Sequence, residues 1–280
     1  MIFLILAIAT SVANAFLLKT GELYQQERLV VMGFNYLAAA LLSAGVWAVQ
    51  GTGPPGGVTL GLGVTGGFFY ATSLFLWMGA IAKVGLATST AAARVSVIWP
   101  TLLSLVAFAE VPSPFQLAGI VLTFVVLGML GASSLMADRA ASGQSGLVWL
   151  VPMFVLMGGV GITQKLFTEW GRPVEKAALL CLIFTTAMLL CWAGLLRGRH
   201  PMRIGDVSRG FVFGLVNACS SGLMLLGLER VAGAIAFPLV NIGILLLTAL
   251  SGVVIWRERP GRLGISAMAL AVIAIVLMAA

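Results

Sequence analysis

Long apolar runs separated by short polar segments follow one another along the whole chain. Each run has about 17 to 25 residues, the length that crosses a hydrocarbon layer of roughly 30 Å as an α-helix. Breaks at charged residues and at glycine and proline clusters predict ten transmembrane helices. They are predicted over 2–18, 30–49, 58–82, 86–109, 115–136, 146–167, 176–196, 210–228, 232–256 and 263–279. The pattern therefore predicts an all-α integral membrane protein.

Composition indicates the same class of protein. Hydrophobic residues make up 60% of the chain and charged residues 9%, against roughly 45 to 50% and about 25% in soluble domains. The net charge of +7 comes from basic residues spread between the apolar runs, so it indicates topology rather than nucleic-acid binding. We expect the first run to be a retained helix and not a signal peptide. We expect a monomer or homodimer surrounded by membrane lipids in a bacterial inner membrane.

An internal repeat is visible when the chain is shifted by 148 positions. Identical or similar residues then coincide without a gap: Thr72 and Ser220, Ser73 and Ser221, Gly79 and Gly227, Gly85 and Gly233, Leu102 and Leu250, Glu110 and Glu258, Pro112 and Pro260. The halves 1–140 and 146–280 would each hold five helices. Because five is odd, the second half enters the membrane in the opposite direction. Two inverted five-helix repeats are a transporter architecture, with the substrate site near the midplane where the halves meet.

Three segments resemble the EamA-like transporters of the drug/metabolite transporter superfamily. They are SVANAFLLKTGE (11–22), NYLAAALLS (35–43) and GLATSTAAARVSVIWPTLLSLVAFAEVPSPFQLAGIVLTFVVLGML (85–130). The most specific positions are Asn14, Lys19, Glu110, Gln116 and Gly119, echoed by Glu258 and Gly264 in the second half. The resemblance implies a ten-helix carrier whose central cavity is lined mainly by helices 1, 3, 4, 6, 8 and 9. Asn35 stands where that family often has a basic residue.

Enzyme chemistry has little support in the residues. The chain has one histidine, His200, no pair of carboxylates within a helix and no phosphate-binding glycine loop at a helix start. The three cysteines lie in apolar runs without ligand spacing, so we interpret them as small buried hydrophobic residues. We therefore expect neither catalysis nor a metal or cofactor.

Polar residues inside the predicted helices are the candidates for a translocation path, because a polar group in the membrane needs a partner or a watery cavity. Helix eight places Asn217, Ser220 and Ser221 on one face, and helix three has Thr72 at the matching repeat position. Contact between helices and a substrate cavity both account for these hydroxyls. The residues assigned to substrate binding are Asn14, Tyr70, Ser73, Trp77, Arg94, Trp99, Gln164, Lys165, Asn217, Ser221 and Asn241.

Several of these residues have a structural alternative. Lys19 and Lys165 both lie within reach of the interface, where a lysine can extend its ammonium to water. Glu110 and Glu258 each precede a proline turn, which favours capping or loop-bracing over transport. The glycines of 63–67 and of 128–131 predict close helix crossings.

Arg94 is the most informative of the candidates. It is predicted about 12 Å from the start of its helix, where an arginine costs roughly 2.5 to 3.5 kcal/mol on insertion scales. Pro100 cannot donate to the carbonyl of Ser96, so we expect a free carbonyl and a kink there. With Trp99 alongside, Arg94 is either a half-site for a carboxylate or phosphate, or an arginine braced by carbonyls of a neighbouring helix.

We therefore expect a secondary transporter that moves a small organic metabolite, an amino acid or organic anion, by alternating access. A passive pore, a lipid-head-group flippase, an exporter of drugs or amphipathic cations, and a scaffold without transport activity remain alternatives. No Asp or Glu lies near the middle of a predicted helix, which favours facilitated diffusion or exchange over proton coupling through a buried carboxylate. The loops after odd-numbered helices hold eleven Lys or Arg residues and the others three, which predicts odd loops in the cytoplasm and both termini outside.

Overall fold

The computed structural model describes residues 1–23, 26–84, 86–138, 147–198, 200–255 and 261–280. Within these ranges the chain forms α-helices and one short 3-10 turn, and no strand. The helices are α1 (Ile2–Leu23), α2 (Arg28–Gln50), α3 (Gly57–Val84), α4 (Leu86–Val95), α5 (Ile98–Val106), α6 (Pro114–Asp138), α7 (Leu147–Trp170), α8 (Lys176–Arg197), α9 (Ile204–Leu228), α10 (Gly233–Ile255) and α11 (Arg262–Ala279). The 3-10 turn, Pro173–Glu175, precedes α8.

Seven helical segments in the described ranges are long and apolar enough to cross a membrane. They are Arg28–Gln50, Gly57–Ile81, Ser89–Val106, Val148–Trp170, Pro173–Arg197, Ile204–Leu228 and Gly233–Ser251. The described ranges also contain three shorter apolar helical segments, Ile2–Leu17, Pro114–Leu130 and Leu263–Ala279. The prediction of an all-α protein with apolar helices of membrane-spanning length is therefore confirmed for the described residues.

Two predicted boundaries are wrong. The helix predicted over 86–109 is interrupted at Ser96 and Val97, between α4 and α5. The helix predicted to start at 210 begins at Ile204, so that Asp206 lies in the first turn of α9, where it is only 3% exposed. The charged residues before Gly210 led to the prediction of a loop. An acidic residue is nevertheless favourable in the first turn of a helix, because it complements the helix dipole.

Local sequence signals explain where other helices begin and end. Gly51 ends α2 in the left-handed conformation at φ 59°, which glycine adopts without steric cost, and its N–H donates to the carbonyl of Trp47. Ser113 and Gln116 form a reciprocal capping box at the start of α6, with bonds of 3.0 and 3.2 Å. Pro114 occupies the first helical position, where a missing N–H costs nothing.

The chain divides into two compact units. The first contains Met1–Ala71 and Thr163–Arg230, and the second contains Thr72–Ile162 and Val231–Ala280. The predicted halves 1–140 and 146–280 are defined by the sequence repeat, whereas these units are defined by which helices pack together. Each unit contains helices from both halves.

The first unit packs helices closely at glycines. A Cβ on Gly210 of α9 would lie 2.6 Å from the carbonyl oxygen of Val31 on α2, so the two backbones approach too closely for a side chain. A Cβ on Gly67 of α3 would lie 2.5 Å from the carbonyl oxygen of Ile183 on α8. The close crossing predicted for the glycines of 63–67 is thus confirmed.

The second unit has a small apolar core around Ala80, Leu150 and Met153, with Ala92 and Ala93 of α4 packed against it. Gly119 of α6 lets α11 approach, because a Cβ there would lie 2.7 Å from Cγ of Met278. The crossing predicted at 128–131 is not supported at Gly128, which has open space around its Cα.

Candidate functional site

The predicted substrate-binding residues fall into both compact units. The first unit contains Asn14, Tyr70, Gln164, Lys165, Asn217 and Ser221. The second contains Ser73, Trp77, Arg94, Trp99 and Asn241. Lys19 has no described side chain, and Glu258 lies outside the described residues.

Asn217 pairs with Asn35 in the first unit. Its side-chain Nδ2 donates to Oδ1 of Asn35 at 3.2 Å, which joins α9 to α2. Asn35 is only 1% exposed, and its own Nδ2 lies 3.9 Å from the sulfur of Met32. The amide pair satisfies two groups that would be costly to leave alone in a membrane interior. From the sequence, Asn35 is distinguished only as a departure from the family pattern, yet it is the partner of a predicted site residue.

Tyr70 and Ser221 are brought together by α3 and α9, with their hydroxyl oxygens 3.5 Å apart. The ring of Tyr70 lies edge-on to Tyr36 and to Phe184, with centroids 6.3 and 5.9 Å away. Tyr36 and Phe184 are stacked at 6.4 Å. Rings this close pack on one another, so the three rings do not leave an open cage for a cation between them.

Ser220 has a structural role. Its Oγ lies 2.7 Å from Oγ of Ser11 and donates to the carbonyl of Ala7, which ties α9 to α1. Of the two alternatives for the hydroxyls on this helix, contact between helices therefore describes Ser220. Asn14, also on α1, is half-buried, and its Oδ1 is fully shielded from solvent without a hydrogen-bond partner among the described residues.

Lys165 and Gln164 are both buried in α7, at 2% and 7% exposure. The side chain of Lys165 is thus surrounded by other residues of the protein. Its ammonium forms an ion pair with Glu169, one turn further along the same helix. Glu169 was not identified from the sequence, although its spacing of four residues from Lys165 is the signal of such a pair.

Arg94 lies two residues before the break between α4 and α5. The N–H of Trp99 donates to the carbonyl of Ser96 at 3.1 Å, and Oγ of Ser96 donates to the carbonyl of Ala93 at 2.6 Å. The expectation of a free Ser96 carbonyl is therefore wrong, because a three-residue turn satisfies that group. The expectation of a distortion before Pro100 is confirmed.

The position of Arg94 on α4 separates it from the apolar core of its unit. Ala92 and Ala93 pack against that core, and at about 100° per residue Arg94 points about 150° away from them. Arg94 is half-buried. The carbonyl of Arg94 accepts from the N–H of Val97 at 3.4 Å, whereas its guanidinium makes no hydrogen bond or ion pair with a described residue of its unit. Glu110, the one acidic side chain described in that unit, is bound elsewhere.

Glu110 caps the first turn of α10. Its Oε1 accepts from the N–H of Gly233 at 3.0 Å, and its Oε2 accepts from the N–H of Ala234 at 2.7 Å. The preceding residue, Ala109, has φ 49°, a conformation that side chains rarely adopt. The prediction of capping for Glu110 is confirmed.

Trp77 and Trp99 differ in their surroundings. The indole Nε1 of Trp77 is shielded from solvent without a hydrogen-bond partner among the described residues. Trp99 packs its side chain against Gly158 of α7, and its ring centroid lies 5.7 Å from that of Phe154. Trp99 is also 37% exposed, so part of the ring is committed to α7 and part is open.

Ser73 and Asn241 are the remaining candidate substrate-binding residues of the second unit. Ser73 is 4% exposed on α3. Asn241 is half-buried on α10, and its Nδ2 donates to the carbonyl of Phe237 at 3.1 Å, one turn earlier in the helix. That bond leaves the amide oxygen of Asn241 available as an acceptor.

A solved structure shares the fold of this chain, and one protein is similar to it in sequence. The chain is 25% identical over 279 residues to an uncharacterized protein of Haemophilus influenzae, across 93% of this chain and 91% of that protein. A crystal structure of another protein matches with a TM-score of 0.75 at 15% identity, over 99% of this chain and 95% of that chain. No protein-family model matches the chain.

Proposed function

We propose that this protein is a secondary carrier for a small organic anion, such as an amino acid or an organic acid. It moves its substrate by alternating access between two inverted five-helix repeats, as the resemblance to EamA-like transporters implies. The observation that carries the proposal is Arg94, a cation in a membrane-spanning segment beside a helix break, with no carboxylate partner among the described residues of its unit.

Helix positions support the repeat. The starts of α2 and α8, and of α6 and α11, are each 148 residues apart, and the starts of α3 and α9, and of α4 and α10, are each 147 apart. The interrupted pair α4 and α5 counts as one crossing, which gives five crossings in each half. An odd number of crossings reverses the second half, and carriers of this type bind substrate near discontinuous helices.

Anionic substrate fits the groups beside the break. A guanidinium offers several N–H donors in a planar fork that matches a carboxylate or phosphate. α5 begins four residues after Arg94, and the start of a helix favours negative charge. The neighbouring aromatic residue Trp99 is partly open and supplies apolar contact for the rest of a small molecule.

Export of amphipathic cations has less support in the described residues. Such a site needs a carboxylate or an open aromatic cage. Glu175 is bound to Thr59 and to the N–H of Gly56, and Glu110 is bound to α10. The aromatic cluster at Tyr36 is closed by its own packing.

Purified protein in liposomes tests the proposal. Vesicles loaded with one unlabelled compound are given the same compound in labelled form, over a panel of amino acids, organic acids, sugar phosphates, nucleosides and cationic dyes. We expect saturable counterflow for an anionic or zwitterionic compound. Flux that does not saturate would indicate a pore, movement of labelled lipid a flippase, and saturable counterflow of dyes alone a cation exporter. Absence of all flux would contradict a carrier.

A further inference from the structure

The ion pair between Lys165 and Glu169 is asymmetric in its exposure. The side chain of Lys165 is 3% exposed, and that of Glu169 is 35% exposed. Thr163 and Gln164 are buried as well, and three consecutive residues cover about 200° of a helix. Lys165 is therefore enclosed by protein, whereas its carboxylate partner is partly exposed at the surface of the molecule.

Helix stability does not account for this pair. Glu169 lies one residue before the end of α7, where the helix dipole disfavours negative charge. A lysine preceding a glutamate by four residues is also the weaker order for a helical ion pair. A buried ion pair gains little over apolar packing, so a role beyond folding is the better explanation.

The other charges described at this end of the first unit have partners of their own. Arg172 lies 3.0 Å from Glu175. Lys176 pairs with Glu229, and the guanidinium of Arg230 lies 5.0 Å from the ring centroid of Phe3. Among the described carboxylates, Glu169 is the one that pairs with Lys165, and its side chain is partly exposed.

We propose that Glu169 is a built-in substitute for substrate: it occupies Lys165 in the empty carrier, and the carboxylate or phosphate of the substrate displaces it. This inference rests on the proposed function. It has one mechanistic consequence. Because Lys165 is neutralised when the carrier is empty, the empty carrier changes conformation without a bare buried charge, and net transport proceeds alongside exchange.

Binding tests the competition directly. Thermal stabilisation of the detergent-solubilised protein is titrated with L-glutamate, succinate and glycerol 3-phosphate. For the anion that stabilises the wild type, we expect Glu169→Gln to lower the half-saturating concentration about fivefold or more, as removal of an internal competitor does. Lys165→Gln should raise it. Glu229→Gln, which breaks the matched pair with Lys176, should leave it unchanged. Glu169→Asp provides a second variant that retains the charge and should give an intermediate value.

Transport separates this inference from the proposed function. In liposomes Glu169→Gln should retain counterflow but slow net efflux, so that the ratio of exchange to net flux rises about fivefold or more. Equal affinity in the wild type and Glu169→Gln, or stabilisation by none of the three anions, overturns the inference. Tighter binding by Glu169→Gln together with an unchanged flux ratio overturns the consequence for net transport. Tighter binding without any flux in the wild type contradicts the carrier and leaves the anion site standing.

Discussion

The carboxylate of Glu110 binds the N–H groups of both Gly233 and Ala234, at 3.0 and 2.7 Å. This contact joins the segment after α5 to the start of α10, 123 residues later in the chain. Two unsatisfied N–H groups of a helix start are paired by one side chain, and the charge also matches the helix dipole.

Removal of this cap should destabilise the protein. We expect Glu110→Ala to lower the free energy of unfolding by about 1 to 2 kcal/mol, the usual cost of losing a helix N-cap. Thermal unfolding in detergent measures the change. Glu110→Gln retains an acceptor without the charge and should lose less, whereas an unchanged melting temperature for Glu110→Ala would show that the contact is not stabilising.

Gly210 should tolerate no side chain. Its Cα approaches the carbonyl of Val31 so closely that a methyl group would push α2 and α9 apart, and we expect Gly210→Ala to cost about 1 to 3 kcal/mol. Gly45 on α2 is the matched control, because nothing lies within 4 Å of a Cβ placed there. Gly45→Ala should be neutral or slightly stabilising. Equal melting temperatures for the two variants would refute the close crossing.

Arg94 should control substrate affinity. Arg94→Lys keeps the charge but loses the planar fork, so binding should weaken by about tenfold, and Arg94→Ala should nearly abolish transport. Lys83→Ala, at the exposed end of α3, is the control and should transport normally. Counterflow and ligand-induced thermal stabilisation measure both effects. An alanine variant that folds and transports with normal affinity would make Arg94 a structural residue.

The orientation predicted from the basic loops can be tested at Ser208. Ser208 is exposed in the second turn of α9, and the segment before it belongs to a basic loop that the charge count assigns to the cytoplasm. In a variant whose native cysteines have been replaced, Ser208→Cys should resist a membrane-impermeant maleimide in intact cells and react after lysis. Strong labelling of intact cells would reverse the orientation.

The features that could be predicted from the sequence are those that depend on the local pattern of residues. Apolar run length located the helices, and Pro100 located the interruption. The hydrogen bonds at the interruption were less accessible, because whether the Ser96 carbonyl is free or closed by a three-residue turn depends on small changes in backbone angle. The Lys165–Glu169 pair was accessible from its spacing of four residues, but not its burial.

Contacts between distant residues were beyond the sequence pattern. Asn35 and Asn217 are 182 residues apart, and the repeat does not place them at equivalent positions. Their pairing depends on how closely α2 and α9 cross, which the glycines of α9 determine. Periodicity shows that a polar residue needs a partner, but only the packed helices show which one it is.

Ala109 gives the turn before Glu110 an unusual response to mutation. Glycine normally weakens a structured segment, since it frees the unfolded chain. At φ 49°, however, alanine itself carries a steric cost of about 1 to 2 kcal/mol that glycine lacks. The side chain of Ala109 thus strains the folded turn, and the bonds of Glu110 to Gly233 and Ala234 stabilise the turn in that conformation. Loss of the cap would therefore free this turn to leave its left-handed conformation, so the same contact that stabilises the start of α10 also maintains the backbone at Ala109.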